Sequence, residues 1–147
     1  MRTQILMIAT LGIFNFSNAQ EVPQSQIPSV IVNQFNSKFS KATDAEWEIQ
    51  GTTYNVEFET GWNIDHEIWY TSEGKILKHK EDISVSELPK AVHNRINTDF
   101  KGYSIDDLQR ITEGNKVVYK MELNSLLQQD WDVVISSEGI VLSKMAD

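Results

Sequence analysis

Three consecutive residues, Asp65-His66-Glu67, place two carboxylates around an imidazole. These are residue types that general acid–base catalysis and transition-metal ligation both use. Strand geometry limits what they can do together. In an extended segment Asp65 and Glu67 share one face, their Cα atoms about 6.5–7 Å apart, while His66 points to the other. One strand therefore cannot aim all three at a single ion, and no metal is expected. His79 and His93 stand apart from obvious partners and read as surface or packing residues. The sequence holds no His-Glu-x-x-His pair, EF-hand loop, phosphate-cradling glycine run or nucleophile elbow. It has no cysteine, hence no thiolate nucleophile or ligand. No catalytic residue and no cofactor are expected, and the chain reads as a non-enzyme.

The remaining chemistry belongs to carboxylates and aromatics. Glu57 and Glu59 alternate with Val56 and Phe58, and Asp65, Glu67, Glu122, Asp130 and Asp132 follow the same period of two. Such alternation marks the solvated face of a half-buried sheet. Trp69 shares the phase of Asp65 and Glu67, and Trp62 falls in a connection. Aromatics exposed in a polar surround are frequent anchors of protein interfaces. Trp47, on the apolar phase, belongs to the core. The candidate binding residues are therefore Trp69, Trp62, Glu57, Glu59, Asp65, Glu67, Asp130 and Asp132.

Charge narrows the partners. The chain carries 13 basic and 21 acidic residues, a formal charge of −8. That surface repels phosphate backbones and anionic lipid headgroups, so no nucleic-acid partner is expected. The reading that follows is a binding module, possible inhibitors included, that docks an envelope or extracellular protein or peptide on an acidic, aromatic sheet face. The alternative is a small-ligand or divalent-cation binding protein of the cell envelope.

The elements that must position these residues occur twice. Ser25 to Phe39 and Ser86 to Phe100 correspond at an offset of 61, each with a serine cap, a proline (Pro28, Pro89) and an apolar face at helical spacing. The first face is Ile27, Val30, Ile31, Phe35 and Phe39; the second is Leu88, Ala91, Val92, Ile96 and Phe100. After each helix come four alternating segments with turn residues between them. Ser72-Glu73-Gly74 recurs as Ser137-Glu138-Gly139, and Tyr54, Val56 and Phe58 recur as Tyr119, Met121 and Leu123. The second unit's first strand keeps phase poorly, since Arg110 falls where Ile49 stood. The expected fold is α+β: two tandem repeats, about 25–83 and 84–147, each a helix plus a four-stranded antiparallel sheet. Lys80 to Val85 is the candidate linker.

The N-terminus reads as an address. Arg2, an apolar run from Ile5 to Phe14 and the small residues of Ser17-Asn18-Ala19 form a cleavable signal-peptide pattern over 1–19, with cleavage after Ala19. The apolar run is shorter than the roughly 20 residues of a membrane span. Residues 20–147 then form the mature domain, periplasmic or extracellular and without a membrane span. Removing Arg2 with the leader takes the formal charge from −8 to −9.

The junction Glu81-Asp82-Ile83-Ser84-Val85-Ser86-Glu87-Leu88-Pro89-Lys90-Ala91-Val92 resembles that between repeats of PepSY-like proteins. So do Tyr54-Asn55-Val56-Glu57-Phe58, Tyr119-Lys120-Met121-Glu122-Leu123 and both Ser-Glu-Gly turns. The resemblance spans about Ser25 to Lys144. It implies a secreted Bacteroidetes-type protein with a β-lactamase-inhibitor-protein-like fold, tandem helix-plus-sheet units and no catalytic site. The wider group is associated with peptidase inhibition, and the fold's namesake binds β-lactamase with its concave sheet face. The matched positions are caps, turns and core, so the resemblance assigns no binding residue.

Overall fold

The computed structural model describes residues 20–147, and the expected signal peptide lies outside them. Along the chain come β1 (Gln20–Val22), α1 (Ser29–Lys38), β2 (Thr43–Gln50), β3 (Thr53–Thr60), β4 (Ile64–Tyr70) and β5 (Ile76–Asp82). Then follow α2 (Lys90–Asp99), β6 (Ser104–Glu113), β7 (Lys116–Asn124), β8 (Trp131–Ser136) and β9 (Val141–Ala146).

All strands join one antiparallel sheet of nine, in the order β1 to β9. This corrects the expected pair of helix-plus-four-strand units in two respects. Gln20–Val22 is a strand, held because Val22 is buried opposite Trp47. The first half of the expected linker is also strand: Lys80, Glu81 and Asp82 pair with Ile111, Arg110 and Gln109 of β6, and only Ile83 to Val85 connect β5 to the second half. Nothing therefore interrupts the sheet between the halves.

The helices also start later than the sequence suggests. Ile27 and Leu88 each precede a proline and adopt extended backbone, with ψ of 136° in both cases. Proline disfavours helical backbone in the residue before it, so neither helix can run through from its serine. Short 3₁₀ turns at Gln24–Gln26 and Val85–Glu87 occupy the preceding positions, and Pro28 and Pro89 become the N-caps. The later start moves Val30 and Ala91 off the buried face; both are exposed.

Both helices cover the same side of the sheet, over two apolar clusters. Ile31 and Phe35 pack with Trp47, Val56, Phe58 and Ile68; Val92 and Ile96 pack with Tyr119, Met121, Leu123 and Val133. Phe35 meets Trp47 and Phe58 edge-on, at centroid distances of 5.3 and 4.9 Å, a favoured geometry for aromatic pairs. The other side of the sheet carries no helix, and the acidic residues project there.

Candidate functional site

The open face is ordered by cross-strand pairing. Residues opposite each other in an antiparallel ladder point to the same side. One row across the sheet therefore reads Glu46, Glu57, Glu67, Lys80, Ile111. The next reads Glu48, Asn55, Trp69, Lys78, Glu113. At Thr43 to Glu46 the register of β2 slips, with Asp44 at φ 52°, and this bulge bends β2 beside the acidic row. A groove of about 360 Å³ results. Its acidic walls are Asp44, Glu46, Glu57, Glu59, Asp65 and Glu67, and Lys80, Asp82 and Gln109 lie along its far side.

The groove is under electrostatic stress. Lys80 forms an ion pair with Glu67, whose other oxygen accepts a 3.1 Å hydrogen bond from Asn55 Nδ2. Among the described residues Glu57 has no such partner of its own. Burial pushes its carboxyl above the usual range, and Glu67, Glu48 and Glu46 add to this against the pull of Lys80. The arrangement can accept a cationic group; it offers no base–nucleophile pair.

The candidate residues fall into two groups. Glu57, Glu59, Asp65 and Glu67 come together in the groove. Trp62 stands at the tip of the β3–β4 hairpin with 96% of its surface exposed. Trp69 is half-buried on the open face, and the Lys78 ammonium lies 4.6 Å from its ring centroid. Asp132 also lies on the open face, opposite Glu122, but five strands from β3. At about 4.8 Å per strand that is some 24 Å away. Asp130 precedes β8 and accepts a 2.6 Å hydrogen bond from the Ser125 amide, closing its own loop.

On the helix-covered side a polar cluster fills the seam between the two apolar clusters. His66 Nδ1 and His79 Nε2 are 3.1 Å apart, and Thr60 Oγ1 is 2.7 Å from His66 Nε2. Arg110 Nε donates to Glu81 Oε1 at 2.9 Å. Phe58 stacks on His66, with centroids 4.8 Å apart and planes 8° from parallel. Burial lowers the pKa of both imidazoles, His79 to about 4, against the opposing pull of Glu81. Both rings are therefore neutral at pH 7.

The family model described as "Putative beta-lactamase-inhibitor-like, PepSY-like" matches residues 15–78 and again 53–143. The chain belongs to this family. No curated protein is significantly similar to this PepSY-like chain. Among solved structures, a BLIP-like protein from Bacteroides fragilis shares 18% identity at a TM-score of 0.63, over 80% of this chain and 84% of that one. A DUF2874 family protein from Bacteroides uniformis shares 15% identity at 0.65, over 81% and 88%. A protein of Bacteroides eggerthii described as a "putative periplasmic" one shares 15% identity at 0.66, again over 81% and 88%. At such identities the likeness establishes the β-lactamase-inhibitor-like fold of this PepSY-like chain and nothing further.

Several residues of the two sites escape sequence reasoning. Asp44 enters the groove through the β2 bulge, and Lys80 and Asp82 through strand pairing of the expected linker. His79, read as isolated, is hydrogen-bonded to His66. The signal available was His79-x-Glu81, two donors on one face of a strand. Arg110, read as a loss of phase, lies on the helix-facing side because Glu81 is its cross-strand partner.

Proposed function

We propose that this PepSY-like protein is a secreted, non-enzymatic, inhibitor-like binding module that docks a cationic segment of an envelope or extracellular protein in the acidic groove. One observation carries the reading: Glu46, Glu57 and Glu67 stand side by side in one cross-strand row, where burial and the neighbouring carboxylates raise the Glu57 pKa against the pull of Lys80. A lysine or arginine side chain laid across Glu46, Glu57 and Glu67 would supply the missing counter-charge. Trp62, at the hairpin tip beyond Glu59 and Asp65, would anchor the apolar part of such a segment. The signal-peptide pattern of residues 1–19 and the address in the description of the Bacteroides eggerthii relative support export.

The test is fluorescence anisotropy of a labelled Lys/Arg-rich peptide against a Glu-rich control of equal length. Saturable binding of the basic peptide is expected, weakening with salt. It should fall at least about tenfold in Glu57→Gln/Glu67→Gln and severalfold in Trp62→Ala. Equal affinity for both peptides, or unchanged affinity in the double variant, would overturn the assignment. The small-ligand or divalent-cation alternative uses the same carboxylates, and titration with Ca²⁺ separates it.

A further inference from the structure

Two imidazoles and one carboxylate converge where β4 meets β5, under the C-terminal end of α1. His66 is the cross-strand partner of Glu81, and His79 lies two residues before Glu81 on the same face. His66 Nδ1 is 3.1 Å from His79 Nε2 and 3.8 Å from Glu81 Oε2. One donor atom from each of the three residues lies within 4.8 Å of the others. In a tetrahedral centre with metal–nitrogen bonds of about 2.0–2.1 Å, adjacent donors stand about 3.3–3.4 Å apart. The nitrogen–nitrogen edge already meets that requirement to within a few tenths of an ångström, whereas the edges to Glu81, 3.8 Å from His66 and within 4.8 Å of His79, close only when the carboxylate moves inward onto the ion.

The groups behind these donors are held as metal ligands usually are. A ligating histidine commonly gives its other ring N–H to an oxygen, which fixes the ring's orientation. Here Thr60 Oγ1 faces His66 Nε2 at 2.7 Å and can accept that N–H, while the proton held between His66 Nδ1 and His79 Nε2 would leave as an ion binds both nitrogens. Arg110 binds Glu81 Oε1 and leaves Oε2 on the His66 side. Phe58 stacks on one imidazole, and Phe39 meets the other edge-on at 5.7 Å. The three side chains retain 8, 14 and 19% exposure, so the centre reaches solvent on one side. Burial also keeps both rings in the neutral form that can ligate.

We propose that His66, His79 and Glu81 form a binding site for one divalent transition-metal ion of the zinc class, with a fourth position open to water or to an incoming donor. Two nitrogens and one carboxylate oxygen suit Zn²⁺ or Cu²⁺ and not the all-oxygen preference of Ca²⁺ or Mg²⁺. The side chains of the site project from the opposite face of the sheet to the acidic row, although His66 and Phe58 also border the groove.

The experiment is calorimetric titration of untagged full-length protein with ZnCl₂ at about pH 7.5. It is paired with histidine NMR spectra recorded before and after zinc. One zinc per chain is expected, with at least about tenfold weaker binding in His79→Gln and in Glu81→Gln. Zinc should shift the His66 and His79 ring signals and leave those of His93 in place; the latter is exposed, and among the described residues its ring is hydrogen-bonded to Asn97 alone. Glu57→Gln/Glu67→Gln should bind zinc as the wild type does. Absence of saturable binding at about 100 µM zinc, or unchanged affinity in His79→Gln, would overturn the site. So would loss of binding in the groove variant. The NMR shifts decide the matter in the wild type even where a variant folds poorly.

Discussion

His79 sits among His66, Lys38 and Arg110, with Glu81 pulling the other way, and burial is the largest influence holding its imidazole down to about 4. Its unfolded value is about 6.5. A depressed folded pKa means that the unfolded chain takes up the proton first as pH falls. The stability contributed by neutral His79 is therefore complete above about pH 6.5 and drains away as pH drops toward 4. His66, also lowered by burial and opposed by Glu81, Asp82 and Asp65, acts in the same direction. Melting temperatures measured in chelator at about pH 7.5 and 5 should show a loss on acidification that shrinks in His79→Gln. An equal loss in both proteins would place the acid sensitivity elsewhere. The sequence did reveal that His66 turns away from Asp65 and Glu67, because a period of two is a local property. Its partnership with His79 was hidden, because it depends on how β4 registers against β5, and that register shifts between Trp69 and Tyr70.

At the scale of elements, each helix is pinned to the sheet by a Ser-Glu-Gly turn. Gly139, at φ +82°, lies against α2, and a Cβ there would come within 2.7 Å of the Ala91 carbonyl oxygen. The carbonyl of Gly139 also accepts a 2.8 Å hydrogen bond from Arg95 Nε. Gly74, at φ +85°, lies against α1, but its nearest neighbour is the Gln34 side-chain amide at 3.0 Å. Both glycines relieve the roughly 1–2 kcal/mol that left-handed backbone costs an L-residue. Only at Gly139 must backbone move as well. Gly139→Ala should therefore lower stability by more than about 2 kcal/mol, and Gly74→Ala by less, because Gln34 can swing aside. Denaturant unfolding of the two variants measures the difference; equal costs would mean that the Ala91 contact yields freely.

For the whole molecule, strand alternation was readable through much of the chain, and continuity of the sheet was not. Lys80 to Asp82 looked like a linker because it is charged on both faces. It is nevertheless a strand, since Glu81 meets Arg110 on the helix-covered side and Lys80 meets Glu67 on the open one. Polar residues are tolerated in a sheet interior when their partners stand on adjacent strands, and a partner 29 positions away leaves no local pattern. Cutting between Ile83 and Ser84 would expose β5 and β6 as long bare edges, which invite association. Fragments 20–83 and 84–147 should each lack a cooperative thermal transition as a monomer and regain one when mixed. Circular dichroism with sedimentation tests this, and two independently folded monomeric fragments would show that the two clusters need no shared sheet.

The strict β1-to-β9 order has a mechanical consequence. The first and last strands form opposite edges, so a pull applied through the two ends of the described chain loads the ladder across its strands. Hydrogen bonds between neighbours are then peeled one after another, as in opening a zipper, and are not sheared together. Tethered at one end and tugged at the other, this protein would pay out strand by strand at low force, a compliant spacer more than a rigid strut.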